Sequence, residues 1–331
     1  MMQKIAVVTG GSAGIGLATA QRLARTGWAV AIVARDADRL EEAAFLLRRE
    51  GGSVLAISAD VADAHAIDAA AERVERELGP IAAWINNAMS TVVAPADDIS
   101  AVEYARVTAT TYLGQVHGTL AALRHMKPRR RGTIVQISSV LGFRGVPLQA
   151  AYCAAKFAVS GFTDALRAEL IADDVPIALS VVYLPAVNTP QFGWARNRSG
   201  RQQRAPAPIF DPRVCAEGIV RAVEHPTREV WIGRATPVLS LGQKLLPSFS
   251  DRKASAFKAD QQGRPQAPRS GNLDEAVPGP ATIDGPWQAD ITSPVGQIFT
   301  TRHRTGAMLA VAGLGLGLAA AILAGLRGPR A

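Results

Sequence analysis

From about residue 5 to residue 232, short runs of β-branched and aliphatic residues alternate with longer stretches whose apolar positions recur every three or four residues. The short runs predict strands near 5–9, 29–34, 53–58, 81–86, 132–138, 176–182 and 228–232, and the longer stretches predict helices near 15–27, 37–50, 63–78, 102–126, 150–172 and 212–224. Strands alternating with helices, joined by right-handed crossovers, give an α/β fold: a doubly wound, seven-stranded parallel sheet with helices on both faces. Ligands then belong at the carboxyl ends of the strands.

The pattern lapses beyond about residue 233. From Pro247 to Thr300, 54 residues hold seven of the 20 prolines, with Gly, Ser and Gln clusters. So little apolar surface does not offset the entropy of ordering, and a mostly disordered linker is expected. Beyond it, Ala307 to Leu326 is a run of 20 uncharged residues flanked by Arg302, Arg304, Arg327 and Arg330. At about 1.5 Å per residue it matches the roughly 30 Å hydrocarbon core of a bilayer. The expected organisation is a catalytic domain over 1–246, a Pro/Gly-rich linker over 247–300 and a hydrophobic membrane anchor over 301–331. The competing reading of the last part is a helix that docks on a partner or lies in the interface.

Composition narrows the function. A hydrophobic content of 48% excludes global disorder. The net charge of +8 comes from 30 Arg and 6 Lys against 28 acids. The densest basic cluster, Arg124 to Arg131, sits at a predicted helix end where cations meet the dipole, so no nucleic-acid partner is expected. Cys153 and Cys215 form no C-x-x-C pair, and five scattered histidines lack ligand spacing, which argues against a disulfide scaffold and a metal site. Met1 to Lys4 runs straight into an apolar strand, leaving no room for a secretory signal, so the catalytic domain is expected in the cytoplasm.

The first strand feeds into Thr9-Gly10-Gly11-Ser12-Ala13-Gly14-Ile15-Gly16, which opens a helix. Glycines let the backbone approach a pyrophosphate, whose charge meets amides at the positive helix end, so a dinucleotide is the expected cofactor of this Rossmann-type unit. The second strand ends in Arg35-Asp36. Arg35 can pair with a 2′-phosphate, favouring NADP over NAD; the alternative is that Arg35 faces solvent and Asp36 either caps the next helix or takes the ribose itself. Asp60 ends the third strand at the height of the adenine, or serves as a turn acid. Tyr152 and Lys156, at i and i+4, share one helix face. An ammonium beside a phenol lowers its pKa from about 10 toward use as an acid-base. Ser139, at a strand end on the same edge of the sheet, can hold a developing oxyanion.

These residues resemble the short-chain dehydrogenase/reductase family over about residues 4 to 233. The likeness includes the glycine turn at 9 to 16, Asp60-Val61, Asn86-Asn87-Ala88, Ile137-Ser138-Ser139 and Tyr152-x-x-x-Lys156. It implies an NAD(P)-dependent oxidoreductase with Tyr152 as acid-base, Lys156 on the nicotinamide ribose and Ser139 orienting substrate. It further implies cofactor contacts from Val61 and Thr189, a sheet-steadying role for Asn87, and a homo-oligomer packed through the fourth and fifth predicted helices.

Three positions depart from the family pattern. Met89 replaces a usual glycine, Thr111 stands in place of the usual helix asparagine, and Pro185 to Thr189 is a shortened Pro-Gly motif. Over the cleft, 191–211 mixes Phe192, Trp194, Ile209 and Phe210 with four arginines, either as a lid for an apolar substrate near acidic headgroups or as a solvated loop with aromatic anchors. The leading expectation is an NADP(H)-dependent enzyme interconverting a carbonyl and an alcohol on a lipophilic small molecule. The alternative is a non-catalytic dinucleotide sensor or membrane scaffold.

Overall fold

The computed structural model describes residues 3–233, 247–292 and 297–301. Its central sheet contains β1 (Ile5–Thr9), β2 (Ala29–Ala34), β3 (Val54–Ser58), β4 (Ile81–Asn86), β5 (Gly132–Ser139), β6 (Ile177–Leu184), β7 (Glu229–Ile232) and β8 (Ile298–Thr300). The order across the sheet is β8-β7-β6-β5-β4-β1-β2-β3. Every pair is parallel except β7 with β8, where Trp231 faces Phe299 in antiparallel register. The expected seven-stranded, wholly parallel sheet is corrected by this eighth strand. A three-residue strand beyond the repeating strand-helix pattern offers no periodicity to read.

Helices α1 (Gly14–Arg25), α2 (Ala37–Arg49), α3 (Ala64–Glu77), α4 (Ala101–Thr108), α5 (Gly114–Arg129), α6 (Ala150–Ala172) and α7 (Pro212–Glu224) flank the sheet. β1 is buried along its whole length because both faces are covered, which is why it reads as an unbroken apolar run. Two apolar clusters lie on opposite faces. One joins Leu17, Leu23, Leu40 and Ile219 to Val8 and Ile32; the other joins Ile67, Val74, Leu123 and Leu166 to Val7 and Trp84. Several helix starts follow from local chemistry. Asp36 accepts from the Arg39 amide at 3.0 Å, Asp63 from the His65 amide at 2.9 Å, and Ser100 with Glu103 forms a capping box.

The helix expected over 102–126 is interrupted by a π-helical turn, Ala109–Leu113, between α4 and α5. Such turns widen a helix by one residue and occur often at functional sites. Behind them, Asn86 donates to Gln136 Oε1 at 2.9 Å and to Thr119 Oγ1 at 3.0 Å, tying β4, β5 and α5 through a buried polar network.

The expected disordered linker is the larger departure. Its described part carries α8 (Pro247–Asp260) and a strand, Gln262–Pro265, that pairs with Arg201–Gln203, before β8 joins the sheet. Leu273 is fully buried against Val92, Ile99, Val107 and Ala155. Composition misled here because the segment does not build a core of its own; it completes one that the domain leaves open. No helix among the described residues is long and apolar enough to cross a membrane, and Ala307 to Leu326 lies outside those residues.

Candidate active site

The ends of β1, β2, β4, β5 and β6 open onto one cavity of about 330 Å³. The glycine turn forms one wall. Gly10 and Gly14 have φ of +67° and +55°, a conformation that disfavours any side chain. At Gly16 the constraint is contact, since an added Cβ would lie 2.1 Å from Gly10 O. Thr9 stands behind the turn, and its hydroxyl accepts from the Asn87 amide at 3.0 Å. Asn87 Nδ2 donates to Thr9 O at 3.0 Å, so Asn87 locks the turn to the end of β4. Gly10, Ser12, Gly14 and Ile15 face the cavity; Thr9 and Gly16 shape it from outside.

At the end of β2, Arg35 and Asp36 take different roles. Asp36 is engaged as the cap of α2 and also pairs with Arg39 at 3.0 Å. Burial lowers the Arg35 pKa, and the carboxylate of Asp60 works against that. Asp60 bonds Arg106 at 2.5 Å and accepts from the Ala62 amide at 2.9 Å. Burial pushes its carboxyl up, but these contacts prevail and hold it below the usual carboxylate range. Sequence reasoning missed Arg39, which is buried, lines the cavity and stacks on Trp194 at 4.4 Å. Its position four residues after Arg35 was the available signal.

The opposite end holds Ser139, Tyr152 and Lys156. Ser139 ends β5; its hydroxyl meets Leu184 O at 3.3 Å, and it hydrogen-bonds the Tyr152 side chain. Lys156 is fully buried, donates to Ile137 O at 2.7 Å and lies 5.6 Å from the Tyr152 ring centre. Burial brings its pKa down to about 7. The expected lowering of the Tyr152 pKa is reversed. Desolvation raises it strongly, and the Ser139 hydrogen bond offsets only part of the rise.

Thr111 lies within the π-turn, fully buried. It donates to Ser90 O at 2.7 Å and accepts from the Ser90 amide at 2.9 Å. Both bonds fix the chain after β4, leaving little capacity to hold a relay water. Val61, Met89 and Thr189 line the cavity, and a Cβ on Gly14 would come within 3.4 Å of Thr189.

The loop 191–211 splits by role. Ile209 and Phe210 are core residues, whereas Phe192 and Trp194 face the cavity. Arg196 and Arg198 converge on Glu103, at 3.3 and 2.7 Å, so they do not present free cations to a headgroup. Phe257 and Gln261, which close the cavity from the C-terminal extension, carry no signal in the sequence.

A glycine cradle, a cationic ribose end and a Ser-Tyr-Lys group around one cavity fit a nicotinamide dinucleotide and a small substrate. Residues 4–199 match the family model described as short chain dehydrogenase. The chain belongs to the short-chain dehydrogenase family. It is therefore an NAD(P)-dependent dehydrogenase or reductase acting on a small molecule. An uncharacterized oxidoreductase of Bacillus subtilis, YxnA, is 30% identical over 81% of this chain and 77% of its own length. A fatty acyl-CoA reductase of Acinetobacter baylyi is 29% identical over 74% of this chain and 86% of its own. A 2-(S)-hydroxypropyl-CoM dehydrogenase of Xanthobacter autotrophicus is 36% identical over 51% and 66%.

Proposed function

We propose that this family member is an NADP(H)-dependent oxidoreductase that interconverts the carbonyl of a lipophilic substrate and the corresponding alcohol. The observation that carries the reading is a Tyr152 hydroxyl, bonded to Ser139 and held protonated by burial, in a cavity walled by Val140, Leu141, Val146, Phe192 and Phe257. A protonated phenol is the form that donates to a developing alkoxide, and the oxygen it leaves behind takes the proton back in the reverse direction. The name of the Acinetobacter relative, a fatty acyl-CoA reductase, agrees with an apolar substrate.

Gly10, Ser12, Gly14 and Ile15 would hold the coenzyme phosphates, with Arg35 and Arg39 at the adenosine ribose, Asp60 and Val61 beside the adenine, and Thr189 toward the nicotinamide. The coenzyme supplies the hydride when bound. Tyr152 gives its proton to the substrate oxygen. Ser139 orients that oxygen and stabilises its charge, while Lys156, anchored on Ile137 O, fixes the Tyr152 face of the helix and meets the nicotinamide ribose. NADP is favoured because Asp36 has one carboxylate oxygen on the α2 cap and the other on Arg39, while Arg35 and Arg39 line the same end of the cavity.

Exposed Leu113 at the end of the π-turn, Leu120 on α5 and Phe157 on α6 support assembly as a homo-oligomer through these helices. The uncharged run Ala307 to Leu326 supports membrane attachment with the catalytic domain in the cytoplasm.

The test pairs a coenzyme-oxidation screen on long-chain aldehydes and ketones with Arg35→Ala. Losing a charge-assisted phosphate contact should weaken NADPH relative to NADH by about ten- to hundredfold. Equal weakening of both coenzymes would assign Arg35 a structural role and remove the NADP preference.

A further inference from the structure

The groups that suit a dinucleotide phosphate are already engaged by the chain itself. Gly14 N, the first amide of α1, donates to Thr282 O at 2.8 Å, and α1 has no side-chain cap. Arg35 donates to Asn272 O at 2.6 Å, Asp274 O at 2.8 Å and Leu273 O at 3.3 Å. Arg39 donates to Gly279 O at 3.0 Å and also bonds Val277 O. Six backbone carbonyls of one segment thus occupy an amide and two guanidiniums that an anionic ligand would use.

The segment's composition fits this role. Between 272 and 287 it has three acids, no Lys or Arg, and prolines at 278, 280 and 286. Each proline removes one N–H donor and lowers the entropy lost when the stretch becomes ordered. The strap is also pinned at both ends. Leu273 is buried in an apolar cluster, while Asp284 pairs with Arg213 at 2.7 Å and Gly285 N donates to Asn188 O at 3.2 Å. Gly285 is required there because a Cβ would stand 2.5 Å from Thr189 O.

We infer that residues 272–285 form an intramolecular competitor for the coenzyme phosphate site, which a dinucleotide must displace in order to bind. The inference rests on the family's dinucleotide site and not on the preference for NADP. Because displacement is common to both coenzymes, it weakens NADPH and NADH by the same factor.

Two measurements test it. In the unaltered protein, amide hydrogen exchange at Ala281 and Gly285 should quicken when NADPH or NADH is added, since Ala281 N donates to Glu42 and Gly285 N to Asn188 only while the strap is seated. Replacing 273–285 with a Gly/Ser run of equal length should tighten both coenzymes about tenfold or more, read by nicotinamide fluorescence. Slower exchange on coenzyme addition, or replacement that weakens binding or leaves it unchanged, would show that the strap is a cover or a spacer and overturn the inference. If the replaced chain does not fold, the exchange experiment decides alone. Binding of NADH in preference to NADPH would correct the coenzyme reading and leave the strap standing; failure of both chains to bind either coenzyme would refute both.

Discussion

Replacing Tyr152 with Phe removes one oxygen and keeps the ring that lies beside Lys156, so it isolates the proton-transfer role. Tyr152→Phe should lower single-turnover reduction by about two to four orders of magnitude with coenzyme affinity nearly intact. An unchanged rate would refute the mechanism. Lys156 makes a second prediction through pH. Burial takes its pKa from 10.5 to about 7, so between those values the unfolded chain holds a proton that the folded chain has lost. Stability contributed by this site should therefore rise with pH across that window, by at most about 1.4 kcal/mol per pH unit. Below about pH 7 both states carry the charge, and the full penalty of burying it remains. Urea unfolding at pH 7 and pH 8.5 reads the slope, and Lys156→Met should flatten it.

At the scale of elements, the turn from β1 to α1 tolerates no added methyl at Gly16, where Gly10 O would stand 2.1 Å away and Asn87 Nδ2 2.6 Å away. Neither neighbour can yield easily, since Asn87 is itself locked to Thr9. Gly16→Ala should cost about 1 to 3 kcal/mol and weaken both coenzymes together. A thermal melt paired with coenzyme titration checks it, and a variant equal to the parent in both would contradict the close approach. The π-turn has a different logic. It buries Thr111 in two bonds to Ser90, so this helix braces the floor of the cleft after β4.

For the whole molecule, the C-terminal extension belongs to the catalytic unit as far as it is described. It supplies β8 at the sheet edge, Phe257 and Gln261 at the cavity, and the strap across the glycine turn. A chain ending at residue 246 should therefore melt lower than one ending at Thr301, by about 5 °C or more, because it exposes the edge of β7 and uncovers apolar surface. The chain ending at Thr301 should match the full chain in coenzyme binding and appear in the detergent-free soluble fraction, with the full chain in the membrane fraction. Full-length protein recovered without detergent at low salt would refute the membrane proposal.

The order of strands and helices to residue 232 was legible because period-2 and period-3.6 patterns follow directly from which face an element buries. The glycine turn and the Ser139, Tyr152 and Lys156 set were legible because a strand-to-helix turn, a strand end and an i, i+4 pair near a helix start all fall at the carboxyl edge of the sheet. Other features needed the tertiary structure. Whether Asp36 caps a helix or faces a ribose depends on where the Arg39 amide points. Whether Tyr152 is made more or less acidic depends on how completely it is desolvated, which no local pattern encodes. The strap is the sharpest case: its glycines and prolines read as disorder, because a segment ordered by another part of the chain carries no hydrophobic period of its own. Its partners, Arg35 and Gly14, lie more than 230 residues away in sequence, and only the folded chain brings them together.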